Sequence, residues 1–173
     1  MRRTPIALAA AAVAVALVPL ATAALIKGTA QADTLTGTSA RDYIHGYGGD
    51  DTITGSAGRD YVWGGPGDDS VTGNGGRDRV WGGPGADTVN GGAGADIWVA
   101  GGFGDDTVNG GDEADRIFGN AGNDMLNGGD GDDAVHGGPG IDTVTCGAGD
   151  DTAYASAADS VAADCERIVP SAG

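Results

Sequence analysis

The sequence predicts an all-β fold: a parallel β-solenoid of about seven 18-residue coils, ended by a small C-terminal cap. Three observations carry this. Between residues 28 and 154 the chain repeats every nine residues, with glycine leading and aspartate at the sixth place. The residues flanking the apolar eighth place alternate in kind from frame to frame, so the structural unit is eighteen. After Tyr154 the glycines stop.

The repeat is clearest in GGPGDDSVT (64–72), GNGGRDRVW (73–81), GGPGADTVN (82–90), GGAGADIWV (91–99) and, after one extra residue, GGFGDDTVN (101–109). Upstream the same frame fits GTAQADTLT (28–36), GTSARDYIH (37–45), GYGGDDTIT (46–54) and GSAGRDYVW (55–63). Downstream it fits GGDEADRIF (110–118), GNAGNDMLN (119–127), GGDGDDAVH (128–136), GGPGIDTVT (137–145) and CGAGDDTAY (146–154). A disordered Gly/Asp-rich linker has similar composition but needs no phase. Here the eighth place holds Leu35, Ile44, Ile53, Val62, Val71, Val80, Val89, Trp98, Val108, Ile117, Leu126, Val135 and Val144 in step.

The last three places form a short strand whose middle side chain faces one way and whose flanks face the other. In odd frames the ninth place carries Thr36, Thr54, Thr72, Asn90, Asn109, Asn127 and Thr145; in even frames aromatic and histidine residues such as His45, Trp63, Trp81, Phe118, His136 and Tyr154 stand there. Each coil therefore gives one strand to each of two facing sheets. One outer face is Thr/Asn; the other is aromatic and basic.

Glycine permits positive φ and close backbone approach, and calcium takes six to eight oxygens from carboxylates and carbonyls. A glycine-rich turn ending in aspartate supplies both. The pattern G-G-x-G-x-D-x-U-x resembles the RTX (repeats-in-toxin) hemolysin-type calcium-binding repeats. The resemblance covers about three quarters of the chain and implies a right-handed parallel β-roll with Ca2+ between a turn and the turn two frames later. It implies as metal ligands Asp51, Asp60, Asp69, Asp78, Asp87, Asp96, Asp106, Asp115, Asp124, Asp133, Asp142 and Asp151, with backbone carbonyls, and at most about twelve ions. Asp33 and Asp42 lie in turns short of glycine, and Glu113-Ala114 interrupts the frame at 110–118; sites there are expected to be weak or missing. Many relatives are large toxins or enzymes with a C-terminal export signal, whereas this chain opens with a different address.

That address is residues 1–23, read as a signal peptide: Arg2-Arg3, an apolar run from Ile6 to Leu20, and small residues Ala21-Thr22-Ala23. The organisation is then 1–23 signal peptide, 24–154 calcium-binding β-roll and 155–173 cap, and the product is expected to be secreted. Losing Arg2 and Arg3 moves the net charge from −16 to −18, which argues against nucleic acid and anionic membrane as partners. A monomer is expected.

Ala100 is an insertion for which a β-bulge is the natural account. A one-residue slip reverses faces, so the sequence leaves open whether Trp98 fills the eighth place or turns out, with Ile97 and Val99 inward. In the cap, Ser156-x-x-Asp159 reads as the start of a short helix. Cys146 and Cys165, the only cysteines, are expected to form a disulfide in an exported protein.

Enzymatic features are lacking. His45 and His136 stand five coils apart, and the Asp-Asp doublets recur with the repeat, which fits ligand or supporting roles better than acid–base catalysis. The main reading is a non-enzymatic calcium-binding protein that folds on binding Ca2+. The aromatic face (Tyr43, Tyr61, Trp63, Trp81, Phe118, Tyr154) either stiffens the sheet by stacking or offers a platform for a glycan or protein, the latter fitting an accessory or adhesion module. The Thr/Asn face resembles the ice-contacting surfaces of some antifreeze solenoids, a third reading.

Overall fold

The x-U-x tails do form the strands, because an apolar residue between two polar ones suits a strip with one buried face. The computed structural model describes residues 22–171. Residues 1–21, most of the expected signal peptide, lie outside the described residues. Among these residues seventeen strands fall into two parallel sheets of nine and eight strands. The nine-stranded sheet runs from β1 (Leu25–Lys27) through every odd-numbered strand to β17 (Arg167–Pro170); the eight-stranded sheet runs from β2 (Thr34–Thr36) to β16 (Ser160–Val161). Successive strands alternate between sheets, giving a solenoid of about eight coils. Among the described residues no helix is long and apolar enough to cross a membrane.

The register follows the repeat. β3 (Tyr43–His45) pairs with β5 (Tyr61–Trp63) as Tyr43 with Tyr61, Ile44 with Val62 and His45 with Trp63, an offset of eighteen. Between the sheets lies a single file of apolar side chains, including Leu35, Ile44, Val71, Val89, Val108, Leu126 and Val144. One such residue per nine is a thin core.

The structure extends the repeat at both ends. Ile26 is a buried rung before the first frame counted from the sequence. β16 and β17 continue the sheets beyond Tyr154, so the cap is an irregular last coil. The expected helix at Ser156 does not form. Ser156 N–H does donate to Asp159 Oδ2 at 2.6 Å, the local contact of a helix start, but Asp159 N–H only reaches back to Ser156 O and the chain enters β16. Cys146 and Cys165 are bonded, tying this coil to the roll.

The inserted residue is not where the frame placed it. Val99 is fully buried and pairs with Val80, while Ala100 takes the ninth place opposite Trp81. Both the Ile97 amide and the Trp98 backbone engage the Asp78–Arg79 strand segment. The extra residue therefore enters at Ile97, and Trp98 is pushed to the outer face instead of filling the core. There it stacks on Phe118 at 4.0 Å. Volume explains the choice: a valine fits the file that isoleucine, leucine and valine set elsewhere, and an indole does not.

Candidate metal centre

Each turn is built by its first six places. In the frame from Gly64, Gly65 and Gly67 have φ of 120° and 141°. Their carbonyl oxygens lie against Gly83 and Gly85 one coil on, so close that a Cβ would collide there. The second and fourth places thus stack glycine on carbonyl along the axis and line the gap between turns with backbone oxygens. In five turns beyond the first two another residue stands there and the backbone still takes positive φ: Tyr47, Ser56, Asn74 and Asn120 at the second place, Glu113 at the fourth.

The sixth-place aspartates form two continuous columns. Asp51 N–H donates to Asp69 Oδ1, and Asp69 N–H to Asp87 Oδ1, at 2.7 and 2.8 Å. In the other column Asp60 N–H donates to Asp78 Oδ1 and Asp78 N–H to Asp96 Oδ1, both at 2.7 Å. The second carboxylate oxygen turns back into its own turn: a Cβ on Gly46 or Gly82 would run into Oδ2 of Asp51 or Asp87. This is why the first place is glycine or, once, Cys146.

Oδ2 is buried and has no hydrogen-bond partner in Asp51, Asp60, Asp69, Asp78, Asp87, Asp96, Asp106, Asp115, Asp124, Asp133, Asp142 and Asp151. These are the twelve residues the repeat nominated. The two it set aside behave differently. Asp33 Oδ2 accepts the Thr29 amide at 2.5 Å, and Asp42 Oδ2 accepts the Thr38 amide and hydroxyl at 2.5 and 3.0 Å. Neither turn has a positive φ. With threonine at the second place, the turn closes on its own aspartate; with a left-handed residue there, the amide is turned away and the oxygen is left for another donor. A buried, unpaired carboxylate oxygen is costly. An inter-turn cation is the partner this chemistry fits.

The electrostatics agree. Burial pushes the carboxyl of Asp115 up to about 8. It raises Asp60, Asp96 and Asp106 to about 7, and Asp69, Asp87, Asp124 and Asp133 to about 6. Asp51, Asp78, Asp142 and Asp151 are raised as well. Burial is the largest cause throughout; neighbouring carboxylates add to it in most, and the amide bonded to Oδ1 opposes it. Without a cation these groups lean toward protonation.

Among the described residues no three His, Cys, Asp or Glu side chains converge on one point. The donor set is instead a few carboxylate oxygens with backbone carbonyls, the hard-oxygen environment that suits calcium and not zinc.

The fifth-place acids of the doublets have a separate task. Asp50 Oδ1 accepts the Asp68 amide, Asp105 Oδ1 the Asn123 amide and Asp132 Oδ1 the Asp150 amide, at 2.8–3.1 Å. They bind turn to turn on the exposed side. His45 stacks on Trp63 at 4.4 Å and His136 on Tyr154 at 4.1 Å; burial lowers the pKa of both.

Sequence reasoning missed three members of the columns. Asp159 Oδ1 accepts the Asp142 amide, Glu166 Oε2 accepts the Asp151 amide, and Ala24 N–H donates to Asp42 Oδ1. The nine-residue count fails beyond Tyr154, so spacing could not find them. A signal existed in Asp159-Ser-Val and Glu166-Arg-Ile, each an acid followed by a polar–apolar pair. The self-capping Thr29 and Thr38 were also legible, as threonine where the frame wants glycine.

A family model described as the RTX calcium-binding nonapeptide repeat (4 copies) matches residues 27–62, 63–97, 100–135, 109–144 and 136–159. The break at 98–99 coincides with the displaced rung. No match was found among curated proteins.

Proposed function

Since the chain belongs to the RTX calcium-binding nonapeptide-repeat family, we propose that it is a secreted, non-enzymatic protein whose turns fold around Ca2+. At most about twelve ions would sit one to each inter-turn gap, held by the twelve aspartates from Asp51 to Asp151 and by turn carbonyls. The observation that carries the reading is the orphaned Oδ2 shared by those twelve. A file of one apolar residue per frame is too little core to hold stacked, buried carboxylates together unaided. Binding and folding therefore become one event. Export is supported by the leader-like residues 1–23 and by the Cys146–Cys165 bond, which an oxidising compartment favours. Extracellular calcium modules bind at about 10⁻⁴–10⁻³ M, so the roll would assemble outside the cell. The doublet acids and both histidines have structural tasks, which supports a role without catalysis.

The test is circular dichroism across a calcium titration from chelator to millimolar. A cooperative rise in β signal is expected. A metal-stripped chain that is already compact and protease-resistant would overturn the reading.

A further inference from the structure

The outer face of the nine-stranded sheet carries a stacked column: His45 on Trp63, then Trp98 on Phe118, Phe118 on His136 and His136 on Tyr154, with ring centroids 4.0–4.8 Å apart. Trp81 leans on Trp98, tilted at 43°. Trp63 and Trp81 are direct partners in register, and by the spacing of the column they should stack. They do not. Each is nearly half exposed, at 46% and 45%, and both line a groove of about 740 Å³ that runs between their column and the neighbouring one of Tyr43, Tyr61, Arg79 and Trp98. The displaced rung is the physical cause on one side: Ala100 leaves the ninth place empty of a ring, and Trp81 tips toward Trp98.

The lining of the groove has one sign of charge. Lys27, Arg79 and Arg116 reach it, and among the described residues no Asp or Glu does. In a chain of 25 acids and nine Lys/Arg that segregation is specific to this face. Arg79 is held over the Tyr61 ring at 5.2 Å, which positions its guanidinium without a carboxylate. The groove runs from β1 to β11 (Arg116–Ala121), five rung steps or roughly 24 Å, long and open rather than deep.

We propose that this groove binds a linear acidic polysaccharide, with pyranose faces against the indoles of Trp63 and Trp81 and uronate carboxylates on Arg79, Arg116 and Lys27. A sugar acid matches both halves of the lining: C–H faces for exposed aromatic surface, and carboxylates for planar guanidinium donors. The inference rests on the calcium-loaded fold, because inter-turn cations would quench the acid at the edges of the sheet that otherwise repels a polyanion.

The experiment uses the full chain in calcium, with folding confirmed first by circular dichroism; failure at that step counts against calcium-driven folding and is seen before any ligand is added. All three tryptophans line the groove, so intrinsic emission reports it. Hyaluronan hexasaccharide is the probe, with cellohexaose and a thymidine oligonucleotide as controls. A saturable emission change with hyaluronan alone is expected, weakened by salt. Trp63→Ala and Trp81→Ala should each weaken it about tenfold or more, and Arg79→Gln should erase the advantage over cellohexaose, all with the calcium-induced spectrum retained. No response to hyaluronan, an equal response to cellohexaose, or a stronger one to the oligonucleotide would each overturn the proposal.

Discussion

The backbone amide of Asp69 donates to Oδ1 of Asp87 across one coil, and Oδ2 of Asp87 is left buried without a partner. One carboxylate thus does two things: it fixes the spacing of successive turns and presents an unsatisfied oxygen to the gap. Asp42 makes the same coil-to-coil bond, receiving the Ala24 amide at 2.6 Å, yet its Oδ2 is satisfied by Thr38. The pair is a built-in control.

Asp87→Asn should therefore remove at least one bound ion and raise the calcium midpoint of folding, while Asp42→Asn should leave the ion count unchanged. Loss of a buried charged partner costs about 1–3 kcal/mol. Isothermal titration calorimetry of the two variants separates the cases, and equal loss of stoichiometry in both would contradict the division between open and self-capped turns.

The pH response of the metal-free chain has a definite sign. The carboxyls of Asp60, Asp96 and Asp106 rise from an ordinary 3.8 to about 7 in the folded state, and Asp115 to about 8. The fold then holds more protons than the unfolded chain between those limits, so its stability is full below about pH 4 and is lost as pH rises through about 6–8. In chelator, β structure should appear on acidification to pH 4–5 and disappear by pH 8. Calcium should restore it at pH 8, and at pH 6–7 its addition should release protons measurable in a pH-stat.

How much of this was legible in the sequence depends on what sets each feature. The period, the two faces and the twelve aspartates whose Oδ2 is left without a partner were readable because a solenoid repeats one local solution: glycine where a Cβ would strike a carbonyl or carboxylate, aspartate where the next coil's spacing is fixed. Trp98 was not. Two placements of one inserted residue fit the count equally, and only the volume of the core file excludes the indole. The cap escaped for a similar reason: Ser156 and Asp159 make the hydrogen bond of a helix start, but the β-ladder with Thr143 and Val144 claims the following residues. The break between Trp63 and Trp81 is a tertiary consequence of the shifted rung and has no local signature.

Glu113 sits at a fourth place with φ of 73°, where most other open turns have glycine. A side chain in that region costs about 1 kcal/mol. Glu113→Gly should raise the thermal midpoint of the calcium-loaded protein, read by differential scanning calorimetry. A fall in midpoint would mean that the carboxylate contributes more to the loaded fold than its backbone strain removes.

The last coil is attached by more than its ladder. The Cys146–Cys165 bond closes a loop with a sequence separation of 19, and Asp164 accepts the amides of Cys146 and Gly147, both at 3.3 Å. Apolar packing of the terminal rung is slight: Ile168 pairs with Ala153 but is 54% exposed. Reduction should destabilise the calcium-loaded roll by about 3 kcal/mol, and the loss should begin at this end, since β16 and β17 each pair with a single neighbour. Hydrogen exchange in calcium, with and without reductant, checks both parts. Amides of Ala162 and Arg167, which donate to Val144 O and Asp151 O, should lose protection first on reduction, while those of Val71 and Val89, deep in the file, keep theirs. Uniform loss along the roll would show instead that the solenoid unfolds as one unit and that the disulfide acts on all of it.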